Sequence, residues 1–360
     1  MRRTITVRHL GRVEYEDGLA LMAKLSRAVE EKRAGDTLLL LEHPPVLTLG
    51  RGADRSNILA TDAMLARAGV EVFPTDRGGD VTYHGPGQLV GYPIFDLKPD
   101  RQDVRKYVRG VEEALIRTLA RYGLVAGRIP KWTGVWVGEE SDPKAVKAGA
   151  IGIHIKKWIT THGFALNINT NLDHFRLINP CGITERGVGS IASLLGHPVD
   201  FAETARFAAA EFGAVFEAEV VEAGFDQETV SVAVVRPSTR GPEALVLTRN
   251  QARGGFPQVV TGKIEPGETP AAAAARELGE ETGLALPVVD LAYVHGFGYG
   301  EEPRFFREHA FAAIAPADAA VRIDPAEHAE SAWLPVAEAV AAMPFQGLKR
   351  AVRAAAARLG

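Results

Sequence analysis

The run from Gly262 to Leu284 constrains this chain more than any other stretch, because it spells a loop, a capped helix and a stop in succession. Thr269 suits an N-cap, Pro270 the first helical position, the alanines at 271–275 propagate the turn, and Gly283 can take the left-handed conformation that ends it. Within that helix Glu277, Glu280 and Glu281 stand at i, i+3 and i+4, which predicts three carboxylates on one face. Carboxylates crowded in this way repel unless a cation sits among them. Hard oxygen donors suit Mg2+ or Mn2+, which keep positions open for water and phosphate oxygens.

At 360 residues the chain exceeds what one hydrophobic core organises, so two domains are expected. A formal charge of -4 carries no basic excess for nucleic acid. No run of about 18 apolar residues offers a membrane span, and the start MRRTITVRHLGRVEYEDG lacks the apolar core of a signal peptide. A cytoplasmic protein is expected. The single cysteine, Cys181, excludes an intrachain disulfide and leaves one thiol to explain.

Periodicity predicts an α/β opening: a short strand at Thr4 to Val7, a helix over Glu16 to Ala34 and a buried strand at Thr37 to Leu41. Val104, Val108, Val111, Leu115 and Leu119 mark a second amphipathic helix ending at Gly123. Ile151 to Ile155 and Ile159 to Ile168 read as paired strands, and Ala202 to Phe212 as a closing helix stopped by Gly213. The acidic stretch Glu217 to Glu228 shows no strong pattern and marks the boundary between domains at 1–218 and 228–360. Strands at Val230 to Val235 and Ala244 to Thr248 open the second.

The 262–284 run fills every defined position of G-x5-E-x7-R-E-U-x-E-E-x-G-U and closely resembles the Nudix family. That resemblance covers about residues 228 to 360. It implies an α/β/α sandwich that hydrolyses a nucleoside diphosphate derivative with Mg2+ or Mn2+. Glu277, Glu280 and Glu281 would be the metal ligands, Arg276 would hold the glutamates, and Glu268 would support the loop or the ligand shell. Glu327 is a candidate base for the attacking water. Phe297, Tyr299, Phe305 and Phe306 could stack on a base, although aromatics in such a stretch more often belong to a core.

In the first domain four glycines fall between Arg77 and Gln88, letting backbone approach a ligand closely. The order is neither a Walker A loop nor G-x-G-x-x-G, so nucleotide binding is not implied. Lys147-Ala-Gly-Ala150-Ile151-Gly152, Thr161-His162-Gly163-Phe164-Ala165-Leu166-Asn167 and Asn179-Pro180-Cys181-Gly182 follow. A thiol between proline and glycine reads as displayed on a turn, where a nearby ammonium would stabilise the thiolate.

Together with Leu41 to Arg51, these pieces closely resemble the lipoate biosynthesis octanoyltransferases over residues 4 to 215. The resemblance implies a mixed sheet with helices, as in biotin and lipoate protein ligases. Cys181 would be the nucleophile and Lys147 would manage protons. The octanoyl group would pass from octanoyl-acyl carrier protein to a lysine of lipoyl domains, those of 2-oxoacid dehydrogenases and of the glycine cleavage H protein. Substrate-binding positions map onto Arg77, Gly78, Gly79, Asp80, Val81, Thr82, Tyr83 and His84, onto Ala150, Ile151 and Gly152, and onto Gly163, Phe164 and Ala165. They would supply backbone N–H groups and small side chains around a narrow acyl channel, where each buried methylene contributes about 0.8 kcal/mol. No cofactor is expected in this domain. His84 and His162 are read as hydrogen-bonding rather than catalytic, and His154 stands where the family pattern leads one to expect arginine. The rival is an ATP-dependent lipoate or biotin ligase carrying a Nudix domain as a nucleotide sensor; its chemistry needs no cysteine.

Overall fold

The computed structural model describes residues 3–98, 101–180, 186–301 and 304–359. The described residues fall into two compact units, one of residues up to Gly224 together with Glu301 and the other of Phe225–Gly300 and the residues from Arg304 on. Among the described residues, the first unit is built on an eight-stranded mixed sheet. Its strands run in the order Ala218–Glu222, Arg3–Arg12, Thr37–Glu42, Gln88–Ile94, Ile159–Asn167, Val146–Lys156, Trp132–Val137 and Ala126–Ile129. Thr37–Glu42 alternates its side chains. Leu38 and Leu40 join one core with Val111, Leu115, Leu119 and Phe212 from helices Val104–Ala120 and Phe201–Val215. Helix Tyr15–Glu30, which buries Leu21, Met22, Leu25, Ala28 and Val29 at helical spacing, lies against the strands Gln88–Ile94 and Ile159–Asn167. A small sheet, Glu71–Pro74, Val46–Leu49 and Val81–His84, stands beside the main one.

Two expectations change. The stretch after residue 217 is not an unpatterned linker, because Ala218–Glu222 pairs in parallel with Arg3–Arg12 and completes the first sheet. Gly213 is no helix stop either: the helix runs on to Val215, and a Cβ there would lie 2.5 Å from a methyl of Val220. The glycine serves close packing of helix on strand. Both facts depend on a partner strand that is distant in sequence.

In the second unit, strand Gln227–Arg236 divides its side chains between two cores. Val230, Val232 and Val234 face helix Pro270–Thr282; Ala233 and Val235 face helices Val336–Ala342 and Gln346–Ala356. The result is the expected α/β/α sandwich. The 262–284 run folds as its residues dictate: Thr269 accepts a hydrogen bond from the Ala272 amide, Pro270 opens the helix, and Gly283 ends it at φ 69°. No described helix is long and apolar enough to cross a membrane.

Candidate active sites

A cavity of about 570 Å3 opens in the first unit between the glycine-rich loop and the middle of the main sheet. The loop can lie flat there because glycine meets glycine: the Gly78 amide donates to the Ile153 carbonyl at 2.9 Å, and a Cβ on Gly152 would come within 2.9 Å of the Gly78 carbonyl. Ala150, Ile151, Gly152, Gly163, Phe164 and Ala165 line the cavity, as do Gly78, Gly79 and Asp80. Strand alternation separates the remaining positions. Thr82 and His84 face the cavity, whereas Val81 and Tyr83 point into a second core with Leu47, Leu65 and Phe175. Val81 and Tyr83 could therefore meet a ligand only through their backbone.

Arg77 borders the cavity, but its guanidinium is spent on protein: it donates to the carbonyls of Thr48, Gly78 and Asp80 and to the Thr48 hydroxyl. It shapes the loop. Asp80 likewise accepts from the amides of Asp54 and Val81 and from the Asn57 side chain. His84 is buried, and burial pushes its pKa down to about 3. His162, at φ 56°, joins Asp76 at 2.7 Å, and Asp76 also contacts His154 at 3.0 Å. The histidine found in place of arginine thus keeps an acidic partner.

Lys147 also lines the cavity and is only 8% exposed. Its ammonium lies 5.6 Å from the centre of the Trp136 ring. Gly134 makes room for the stem, since a Cβ there would sit 2.6 Å from the lysine Cε. Cys181 lies outside the described residues, but both flanks of its segment are anchored. Upstream, the Asn179 amide donates to Asn57 and Ile178 bridges Ile58. Downstream, the Lys147 amide donates to the Gly187 carbonyl and the Gly189 amide to that of Lys147, each at 3.0 Å.

In the second unit Arg276 gathers carboxylates. It reaches both oxygens of Glu268 at 3.0 Å, Glu277 at 2.8 Å and Glu280 at 3.0 Å, and donates to the Lys263 carbonyl. These bonds hold the Glu268 carboxyl below its usual range, while burial pushes that of Glu277 up. Glu281 turns elsewhere. It is 3% exposed, neither of its oxygens has a hydrogen-bond partner among the described residues, and one lies 3.3 Å from Nε2 of His328. Burial raises its pKa, with His328 and Arg249 acting against the rise.

Glu281, Glu327 and His328 bring ligand atoms within 4.8 Å of one another. The expected cluster of Glu277, Glu280 and Glu281 is thus split, because charge-assisted bonds to Arg276 draw two of the three away. Buried carboxylate oxygens and imidazole nitrogens without partners among the described residues are costly, and a divalent cation would relieve that cost; the donor set fits one. Of the four aromatic candidates, Phe305 is buried, Phe297 and Phe306 stack on each other at 5.2 Å, and Tyr299 stands exposed.

Gly262 owes its place to space rather than to φ: a Cβ there would fall 1.8 Å from the Glu277 carboxyl carbon. Gly262→Ala is expected to displace that carboxylate and to lower the hydrolysis expected of this unit about 100-fold, the cost of a misplacement near 1 Å, while the acyl transfer expected of the first unit stays unchanged. Steady-state rates for both reactions check this; an unaltered hydrolysis rate would show that the Glu277 position is immaterial.

Reading residues alone missed His328 and Trp136. His328 was visible as a histidine beside Glu327, yet nothing local ties it to Glu281, 47 positions earlier by 328 − 281.

The lipoyl protein ligase A/B catalytic domain family matches residues 14–213, and the NUDIX domain family matches residues 226–355. An octanoyltransferase of Myxococcus xanthus is 57% identical over 358 residues, 98% of this chain and 99% of that protein. An octanoyltransferase of Solibacter usitatus is 54% identical over 192 residues, 53% of this chain and 84% of that protein. One of Caldicellulosiruptor bescii is 50% identical over 214 residues, 59% of this chain and 91% of that protein. The first of these similarities runs through both units.

Proposed function

Because the chain belongs to the lipoyl protein ligase A/B catalytic domain family, on its octanoyltransferase side, with a NUDIX domain behind it, we propose a two-step transfer through Cys181 and Lys147. We assign the transferase to the compact unit that runs to Gly224 and the hydrolase to the unit that begins at Phe225. The Cys181 thiolate attacks the thioester carbonyl of octanoyl-acyl carrier protein; the C–S bond to the carrier breaks, and the carrier's thiolate leaves. The amine of a lipoyl-domain lysine then attacks the acyl-cysteine, forms the amide, expels the Cys181 thiolate and gives up a proton. Lys147 supplies and removes protons at the sulfurs and the amine. The observation that carries this reading is the pairing of Lys147's main chain with residues 187 and 189, immediately after the cysteine segment, at the wall of the cavity.

A thioester is already activated, so no ATP is needed. Purified protein mixed with octanoyl-acyl carrier protein and no nucleotide is expected to form a hydroxylamine-labile adduct, seen as one octanoyl mass increment, that Cys181→Ala lacks. Adduct formation only with ATP would favour the ligase reading instead.

For the second unit we propose hydrolysis of a nucleoside diphosphate derivative at the box. Glu281, Glu327 and His328 would hold Mg2+ or Mn2+, bordered by Glu277 and Glu280. The cation would neutralise charge on the phosphate oxygens and favour ionisation of bound water. Arg276 keeps Glu268, Glu277 and Glu280 in register, and Arg253, 2.9 Å from Glu327, orients that carboxylate. The intact acidic set supports catalysis over sensing.

A further inference from the structure

Three buried side chains behind the cavity form a chain of hydrogen bonds that acyl transfer, as described so far, does not use. Gln88 is 1% exposed and Asn167 4%; they face each other across paired strands. The Gln88 amide nitrogen donates to the Tyr83 carbonyl at 3.1 Å and to the Asn167 side-chain oxygen at 2.9 Å. The Asn167 amide nitrogen donates to the Gly189 carbonyl at 3.0 Å. The Gln88 oxygen meets Nδ1 of His84 at 2.8 Å.

The ends of this chain are backbone carbonyls, which only accept, so neither amide can be turned over. Nδ1 of His84 must carry the hydrogen, and its other ring nitrogen is left as an acceptor. Gly189 is also the residue whose amide donates to the carbonyl of Lys147. The far end of the relay therefore grips the strip that runs from the cysteine segment past the lysine.

We propose that Gln88 and Asn167 are positioning residues of the acyl transfer, tying His84 to the Gly189 carbonyl and thereby holding residues 187–189, downstream of Cys181, against the main chain of Lys147. This rests on the Cys181 and Lys147 reading above. The relay is a poor candidate for mere core packing. Its four members come from three strands and one loop, and its terminal bond is made to the loop.

Asn167→Asp keeps the size of the side chain but cannot donate to Gly189, and Gln88→Glu cannot donate to Asn167. In the full-length protein each is expected to slow acyl-enzyme formation about 100-fold, with the KM for octanoyl-acyl carrier protein within about threefold of wild type. Alkylation of Cys181 by iodoacetamide should slow at pH 7, and its pH profile should move up toward the ordinary thiol range near about 8.5. The double variant should lose little more than either single one, because both break the same relay.

Acylation and alkylation within about threefold of wild type, or a loss carried by KM, would overturn the proposal. Variants that both unfold, by circular dichroism, would also overturn it, since the relay would then serve the core. A wild-type enzyme that forms no Cys181 adduct would instead sink the two-step reading itself.

Discussion

Lys147→Met is expected to leave octanoyl transfer about 1000-fold below wild type, within the range that general acid–base groups contribute, with the fold intact. Methionine matches the lysine stem, so it should fill the space that Gly134 leaves beside the Trp136 ring. On the proposed mechanism, what disappears is the ammonium that would stabilise the thiolate and the amine that would take the acceptor's proton. Both half-reactions should suffer. Single-turnover transfer from octanoyl-acyl carrier protein separates them, and hydrolysis by the second unit, measured in the same sample, controls for general damage. Lys147→Arg should not restore transfer, because guanidinium does not release its proton near neutral pH. A methionine variant with more than a tenth of wild-type transfer would leave the cysteine without its proposed partner.

Glu281→Gln is the corresponding change in the second unit. Nucleotide hydrolysis should fall about 1000-fold, since the substitution removes a charge from the only cluster with metal-ligand geometry among the described residues. Mn2+ binding followed by electron paramagnetic resonance should weaken in parallel, a readout independent of turnover. Metal-free thermal stability should not fall. The glutamate carboxyl is buried with neither oxygen hydrogen-bonded among the described residues, so a neutral isostere removes a desolvation cost. Unchanged Mn2+ affinity would move the cation to Glu277 and Glu280, with Arg276 displaced.

The helix at 270–282 was legible because its cap, propagation and stop are local: Thr269 bonds an amide three residues on, and Gly283 adopts its own φ. The paired strands around residues 151–168 were legible for the same reason, being joined by a two-residue connection between Lys156 and Ile159. The cavity-facing roles of Thr82 and His84 against Val81 and Tyr83 were not, because alternation says which residues share a face but not which face meets the ligand. Arg77 looked available for substrate until Thr48, from a neighbouring strand, took its guanidinium.

What the residue order determined by itself was chemistry carried at short range: which helix is capped, which acids share it, and that one thiol sits between proline and glycine. Which of those acids meets His328, and which amide grips the strip beside Lys147, was decided by tertiary structure. A carboxylate or amide bonds whatever partner packing brings within about 3 Å, and those partners arrive from distant strands.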